Sequence, residues 1–247
     1  QFVPKMQYVY TYTSPSTYRN PIWWQTTVSE AGNILSLGYM AAGKKWNNQG
    51  KKMFRNPYAQ FFKFETELVK TWRLSEHSSL VGHVDIGAIY SYGNSSEAPY
   101  SEQFYVGGAN SIRAFNVRQI GPGRYRSTQR RRSYVEQTGD IKFQCNVEYR
   151  PHLVGSLYGA LFLDAGNVWT MHYDDGRPEG YFRFKNVLKE MALGTGVGIR
   201  YDLGYFMLRL DWGVGLHVPY ETGKTGFYNI SKFKDAQAFH LAIGLPF

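Results

Sequence analysis

A single cysteine, Cys145, stands in 247 residues, so the chain holds no internal disulfide and pairing gives no sign of the redox compartment. Long apolar runs are missing as well. No stretch nears the roughly 18 uncharged residues that a helix needs to cross a bilayer, which excludes helical spans. The first residues lack the basic, apolar, small-residue order of a secretory signal, and the chain reads as mature, truncated or both. No serine occupies a nucleophile elbow. His83 with Asp85, and His172 with Asp174 and Asp175, lack the further ligands of a metal site. No catalytic residue, metal or cofactor is therefore assigned, and the chain is not read as an enzyme. No fixed repeat, linker or second domain interrupts residues 1–247.

What the chain does hold is aromatic rings and small residues: 20 Tyr, 16 Phe, 6 Trp and 26 Gly. Such aromatic content with a mean hydropathy of -0.42 fits strands that are apolar on one face only, with aromatic girdles at two membrane interfaces. Period-2 alternation supports that reading. In 141–150, Ile141, Phe143, Cys145, Val147 and Tyr149 alternate with Lys142, Gln144, Asn146, Glu148 and Arg150. In 193–203, Leu193, Val197 and Ile199 oppose Gly194, Gly196, Gly198 and Arg200. In 205–216, Leu208, Leu210 and Trp212 oppose Arg209, Asp211 and Gly213. At the end, Phe239, Leu241, Ile243, Leu245 and Phe247 oppose Ala238, His240 and Gly244, giving a last strand over 238–247. Similar alternation covers 62–69 and 83–90, and two earlier strands are placed near 6–13 and 22–29.

A soluble sandwich also alternates, so the polar face decides between them. Isolated mid-strand charges among many glycines suit a wet lumen better than the outside of a soluble sheet. The expectation is an all-β fold, a transmembrane antiparallel β-barrel with nine or ten strands in this chain. Short turns are expected at 151–156 and 202–205, and long loops at 93–139, 170–190 and 217–237. The formal charge of +9 would raise nucleic acid as a partner of a soluble protein. Here the basic residues fall largely inside strands or in one cluster, Arg124-Tyr125-Arg126 with Arg130-Arg131-Arg132, and no nucleic-acid partner is assigned. That cluster reads as a solvated loop, with lipid phosphates or a negatively charged partner as the alternative.

The longest loop carries Gly107-Gly108-Ala109-Asn110-Ser111-Ile112-Arg113-Ala114-Phe115, followed by Ile120-Gly121-Pro122-Gly123. This resembles the loop motif of the Omp85 superfamily: a glycine pair, then a hydrophobic residue, Arg, Gly and an aromatic. Ile112, Arg113 and Phe115 match position by position, while Ala114 replaces the usual glycine. Asn146-Val147-Glu148-Tyr149-Arg150 and Leu161-Phe162-Leu163-Asp164-Ala165-Gly166-Asn167-Val168-Trp169 resemble the two strands that follow. Within the BamA/TamA family, residues 189–203 and 208–211, with Ile22-Trp23-Trp24-Gln25 and 29–33, look like the TamL branch of Bacteroidetes. The stretch from Leu35 to Met53 has no assignment.

The resemblance implies that the loop folds back into the lumen, where Glu148 and Asp164 receive Arg113. The physics agrees with such a pairing, because an unpaired guanidinium in a confined lumen carries a large desolvation cost. It also implies a barrel of roughly 16 strands preceded by POTRA domains, so this chain is read as its later strands. In the family the last strand pairs weakly with the first, and this seam can part to template a client strand. Phe239, Leu241, Ile243, Leu245 and Phe247 are the corresponding seam or C-terminal sorting signal. The implied function is insertion or translocation of unfolded outer-membrane or surface client proteins in the outer membrane of a Gram-negative bacterium. Outer-membrane lipids are further partners, as is a periplasmic or inner-membrane component reached through upstream domains. A passive channel or porin is the alternative.

Overall fold

The computed structural model describes residues 2–15, 17–127 and 133–247. Nine strands form one antiparallel sheet in which each strand is bonded to its neighbours in sequence order. They are β1 (Lys5–Thr13), β2 (Ile22–Ala31), β5 (Phe61–Ser75), β6 (Ser78–Ser91), β7 (Ile141–Val154), β8 (Leu157–Trp169), β9 (Ala192–Asp202), β10 (Met207–His217) and β11 (Gln237–Ile243). A small hairpin, β3 (Lys52–Met53) with β4 (Asn56–Pro57), lies between β2 and β5. Because neighbours alternate in direction, connections alternate between the two rims. Those at 14–21, 76–77, 155–156 and 203–206 are short; those at 32–60, 92–140, 170–191 and 218–236 are long. Short turns on one rim and long loops on the other are the plan of a membrane barrel.

The two faces differ as the alternation requires. Leu161, Leu163, Val197, Ile199, Leu210 and Trp212 stand exposed on one face, an apolar surface too broad for a water-soluble sheet. Gln144, Asn146, Glu148, Asp164, Arg200, Arg209 and Asp211 are buried on the other. Burial there comes from the 92–140 loop, which packs Phe104, Val106, Ile112, Ala114, Phe115 and Ile120 against Val168, Ala192, Val218 and Ile230. The molecule's core is thus inside the curved sheet and toward its long-loop rim. No helix among the described residues is long and apolar enough to cross a membrane. The two edge strands, β1 and β11, are not bonded to each other.

Three details differ from the sequence reading. The turn placed at 151–156 is confined to 155–156. Pro151 continues β7 opposite Ser78, with room provided by Gly159 on β8. The unassigned stretch holds most of α1 (Asn33–Ala41), which follows Gly32 in a left-handed conformation. The last strand ends at Ile243 rather than Phe247. Gly244 takes φ 88° and makes the final ladder bond, its N–H to the Met207 carbonyl at 2.7 Å. Pro246 then offers no donor to extend the ladder. The tail turns inward, and the Phe247 ring stacks on His83 with centroids 4.7 Å apart. Phe247 therefore does not share the outer face of Phe239, Leu241 and Ile243.

Candidate functional site

The tip of the 92–140 loop is built by two glycines. Gly107 and Gly108 both have φ near 95°, and a Cβ on Gly107 would lie 2.2 Å from the Asn116 carbonyl oxygen. No other residue type fits there without displacing the backbone. The Gly108 N–H donates to the Phe115 carbonyl at 2.8 Å, closing the 108–115 turn and aiming Ile112 to Phe115 at the sheet. Ser111 donates to Gln144 at 2.5 Å, and the Asn146 amide donates to the Ser111 carbonyl at 2.9 Å. Two polar residues of β7 thus hold the tip from below.

Arg113 is fully buried, as are Glu148 and Asp164. Its Nε and its backbone N–H both donate to Asp164 Oδ2 at 2.9 Å, and Nη2 donates to Oδ1 at 2.8 Å. Nη1 donates to Glu148 Oε2. The guanidinium also lies over the Phe162 ring, 3.7 Å from its centroid. These positions follow from register: Asp164 pairs with Asn146, and Glu148 pairs with Phe162, across β7 and β8. Two acids on adjacent strands, both on the inner parity, are thereby brought to one point. Planar Arg can meet both at once, which a lysine could not do.

The clamp is part of a larger charge lattice. Glu148 also receives Arg150 Nε at 2.7 Å and Arg200 Nη2 at 3.2 Å, and Arg200 Nη1 pairs with Asp211 at 2.6 Å. Arg209 lies 3.7 Å from Asp211 and donates to Asn110 of the loop. His240 on β11 donates to the Arg113 carbonyl at 2.9 Å, so the last strand touches the loop tip directly. Four guanidiniums share three carboxylates. Breaking a buried pair of this kind costs about 3 to 5 kcal/mol, since the surviving charge is left unpaired.

The inner-face glycines make the groove that receives this tip. A Cβ on Gly213 would lie 2.3 Å from the Arg113 carbonyl oxygen, and one on Gly194 would lie 2.2 Å from the Ala114 Cβ. Gly215 and Gly166 give similar room to Phe115 and Ile112, at 3.1 Å each, and Gly87 lies under Phe104. Ala114 thus carries its methyl into the space that Gly194 leaves open. Gly194→Ala should destabilise the fold by about 1 to 3 kcal/mol through overlap. Adding Ala114→Gly should restore most of that loss, as read by urea unfolding in micelles. Additive effects of the two substitutions would show that these positions do not touch.

Several residues singled out in the sequence play other parts. His83 bonds Glu67 at 2.9 Å and Asn146 at 2.8 Å, while Asp85 pairs with Lys142, so His83 and Asp85 belong to separate polar ladders. His172 packs against Tyr90. Burial works against the Asp174 carboxylate, but Arg177 and the Gly176 N–H hold it below the ordinary carboxylate range. Arg124 pairs with Glu221 at 3.1 Å, and Arg126 lies over Tyr220. Arg130, Arg131 and Arg132 lie outside the described residues. Phe162 and His240 were not singled out. Neither had a signal beyond inner parity: Phe162 stands in a row of Tyr158, Ala160, Asp164 and Gly166 in which an aromatic is not conspicuous.

A one-sheet barrel wall whose own arginine-tipped loop is clamped against its inner face defines a class of membrane barrel with an inward-folded loop. The Omp85 superfamily domain matches residues 32–247, and the chain belongs to that superfamily. Outer membrane protein assembly factor BamA of Neisseria meningitidis serogroup B (strain ATCC BAA-335 / MC58) is 32% identical over 114 residues. That match covers 43% of this chain and 14% of that protein. The crystal structure of BamA from Haemophilus ducreyi lacking POTRA domains 1-3 aligns at a TM-score of 0.51 and 14% identity, covering 98% of this chain and 55% of that one. At that identity the likeness speaks for the fold alone. The chain spans about half of that structure's length. CdiB from Acinetobacter baumannii aligns at a TM-score of 0.40 and 12% identity, too distant to bear on the argument.

Proposed function

We propose that this chain forms the later strands of an outer-membrane assembly or translocation factor of a Gram-negative bacterium, most like the TamL branch of Bacteroidetes. Its clients are unfolded outer-membrane or surface proteins, handled with outer-membrane lipids and without breaking a covalent bond. The observation that carries this reading is Arg113, fully buried and bonded to both Glu148 and Asp164. A passive pore does not need an arginine-tipped loop held against its inner wall. An assembly factor gains a fixed inner wall against which other strands can move.

The seam belongs to the same proposal. β11 has seven residues, fewer than the roughly nine that a tilted strand needs to span a bilayer, whereas β5 to β8 have 13 to 15. Phe239, Leu241 and Ile243 are exposed along it, and the ladder stops at Gly244. A short strand with an open outer edge loses few bonds on parting and offers its N–H and C=O groups to an incoming strand.

Proteoliposomes carrying the protein should speed the folding of an unfolded outer-membrane barrel client, read by protease protection, over empty liposomes. Asp164→Asn should lower that rate by about tenfold or more while the protein stays membrane-inserted, because Arg113 loses its bidentate acceptor. Client folding no faster than in empty liposomes would refute the assignment. Altered ion conductance with unaltered client folding would favour a channel.

A further inference from the structure

We propose that the short-turn mouth of the lumen is a binding site for a phosphate-class oxyanion. A cavity of about 430 Å³ opens there, walled by Arg73, His77, Arg150, His152, Tyr158 and Arg200, with Leu245 of the inturned tail on one side. These side chains come from β5, the 76–77 turn, β7, β8 and β9, and the strand residues share the inner parity of Glu148 and Asp164. The sheet therefore gathers cations that are far apart in sequence. Glu76 is the one acid on the wall; it lies in the exposed turn and forms no ion pair among the described residues.

Two further observations point to an anion. Arg200 is only 1% exposed, yet its Nε has no hydrogen-bond partner, and neither has the buried Nη2 of Arg150. The lattice beside the cavity already holds one guanidinium more than its carboxylates can neutralise. Arg73 adds another positive charge at the mouth, with no ion pair among the described residues. Excess positive charge beside low-dielectric walls concentrates anions, and guanidinium groups suit the paired oxygens of phosphate. The cavity exceeds the size of a bare oxyanion, leaving space for the organic part of a phosphate ester. A soluble phosphate ester and a phospholipid headgroup share this chemistry.

The test uses the protein in phosphate-free maltoside micelles, titrated with glycerol phosphate by calorimetry. In parallel, nanodiscs of phosphatidylglycerol or of phosphatidylcholine are compared by phosphorus-31 line broadening. Arg73 lies outside the Arg113 clamp, so Arg73→Gln should leave folding intact and weaken binding about tenfold, whereas Arg73→Lys should retain most of it. Saturable, Arg73-dependent binding of glycerol phosphate identifies a soluble ester. Arg73-dependent broadening confined to phosphatidylglycerol identifies a headgroup, and either result upholds the site. Absence of saturable binding in both arms, or binding unchanged in Arg73→Gln, overturns it.

Discussion

Arg113→Glu is expected to abolish stable folding of the barrel in micelles and, under the proposed function, client assembly in cells. The substitution removes the three side-chain hydrogen bonds to Asp164 and Glu148, leaving only the one from the backbone N–H, and it places a third carboxylate beside two buried ones. Like charges a few ångströms apart in a dry site cannot all remain ionised without large cost. The cost of losing one partner alone is about 3 to 5 kcal/mol, a large part of a domain's net stability. Arg113→Lys should retain the charge but lose the paired geometry, and so lie between wild type and Arg113→Glu. The check is heat-modifiable electrophoretic migration together with urea unfolding. Wild-type unfolding and wild-type client assembly in Arg113→Glu would show that the clamp has no role in either.

The second large effect is expected from Gly213→Val, a residue that bears no charge. A Cβ at this position meets the Arg113 carbonyl oxygen at 2.3 Å, its carbon at 2.7 Å and the Ala114 Cα at 2.8 Å. All three belong to the loop backbone, which has no rotamer to change. The tip must then lift off β10, taking Arg113 from Asp164 and the carbonyl from His240. A loss of several kcal/mol is expected, at or above the usual 1 to 3 kcal/mol of overpacking, because the ion pairs go with the overlap. Proteolysis of the 92–140 loop should accelerate accordingly. Gly38→Ala in α1 is the matching control: nothing lies within 4 Å of the added Cβ, and a gain of up to about 1 kcal/mol from helix propensity is expected. Equal protease resistance of Gly213→Val and Gly38→Ala would argue against a groove that receives the tip.

These two variants also mark what could be read in advance. The parity that puts Glu148 and Asp164 on the polar side is visible in 141–150 and 161–169, because a strand alternates its side chains whatever surrounds it. The inner-face glycines are equally visible, but in the sequence they look like mere weak points of strands. Their purpose depends on which loop backbone approaches them, and Ala114 lies 80 positions before Gly194 and 99 before Gly213. The lattice of Arg200, Arg209 and Asp211 was invisible for the same reason, since register alone sets Arg200 opposite Arg209 and Asp211 opposite Gly198. The tail shows the opposite case. Alternation through Leu245 and Phe247 suggested a strand, yet the left-handed Gly244 and the donorless Pro246 overrode it.

The strand-forming pattern, the split into an apolar and a polar face and the alternation of short turns with long loops are all legible in the residues alone. Each of these rests on local covalent geometry or on the period of a single strand. Folding was needed to reveal that Gly194 and Gly213 make room for the loop tip, that His240 meets the Arg113 carbonyl, and that Phe247 turns inward to His83. Those contacts join residues as many as 164 positions apart, and their geometry is set by register and sheet curvature, which no local pattern encodes.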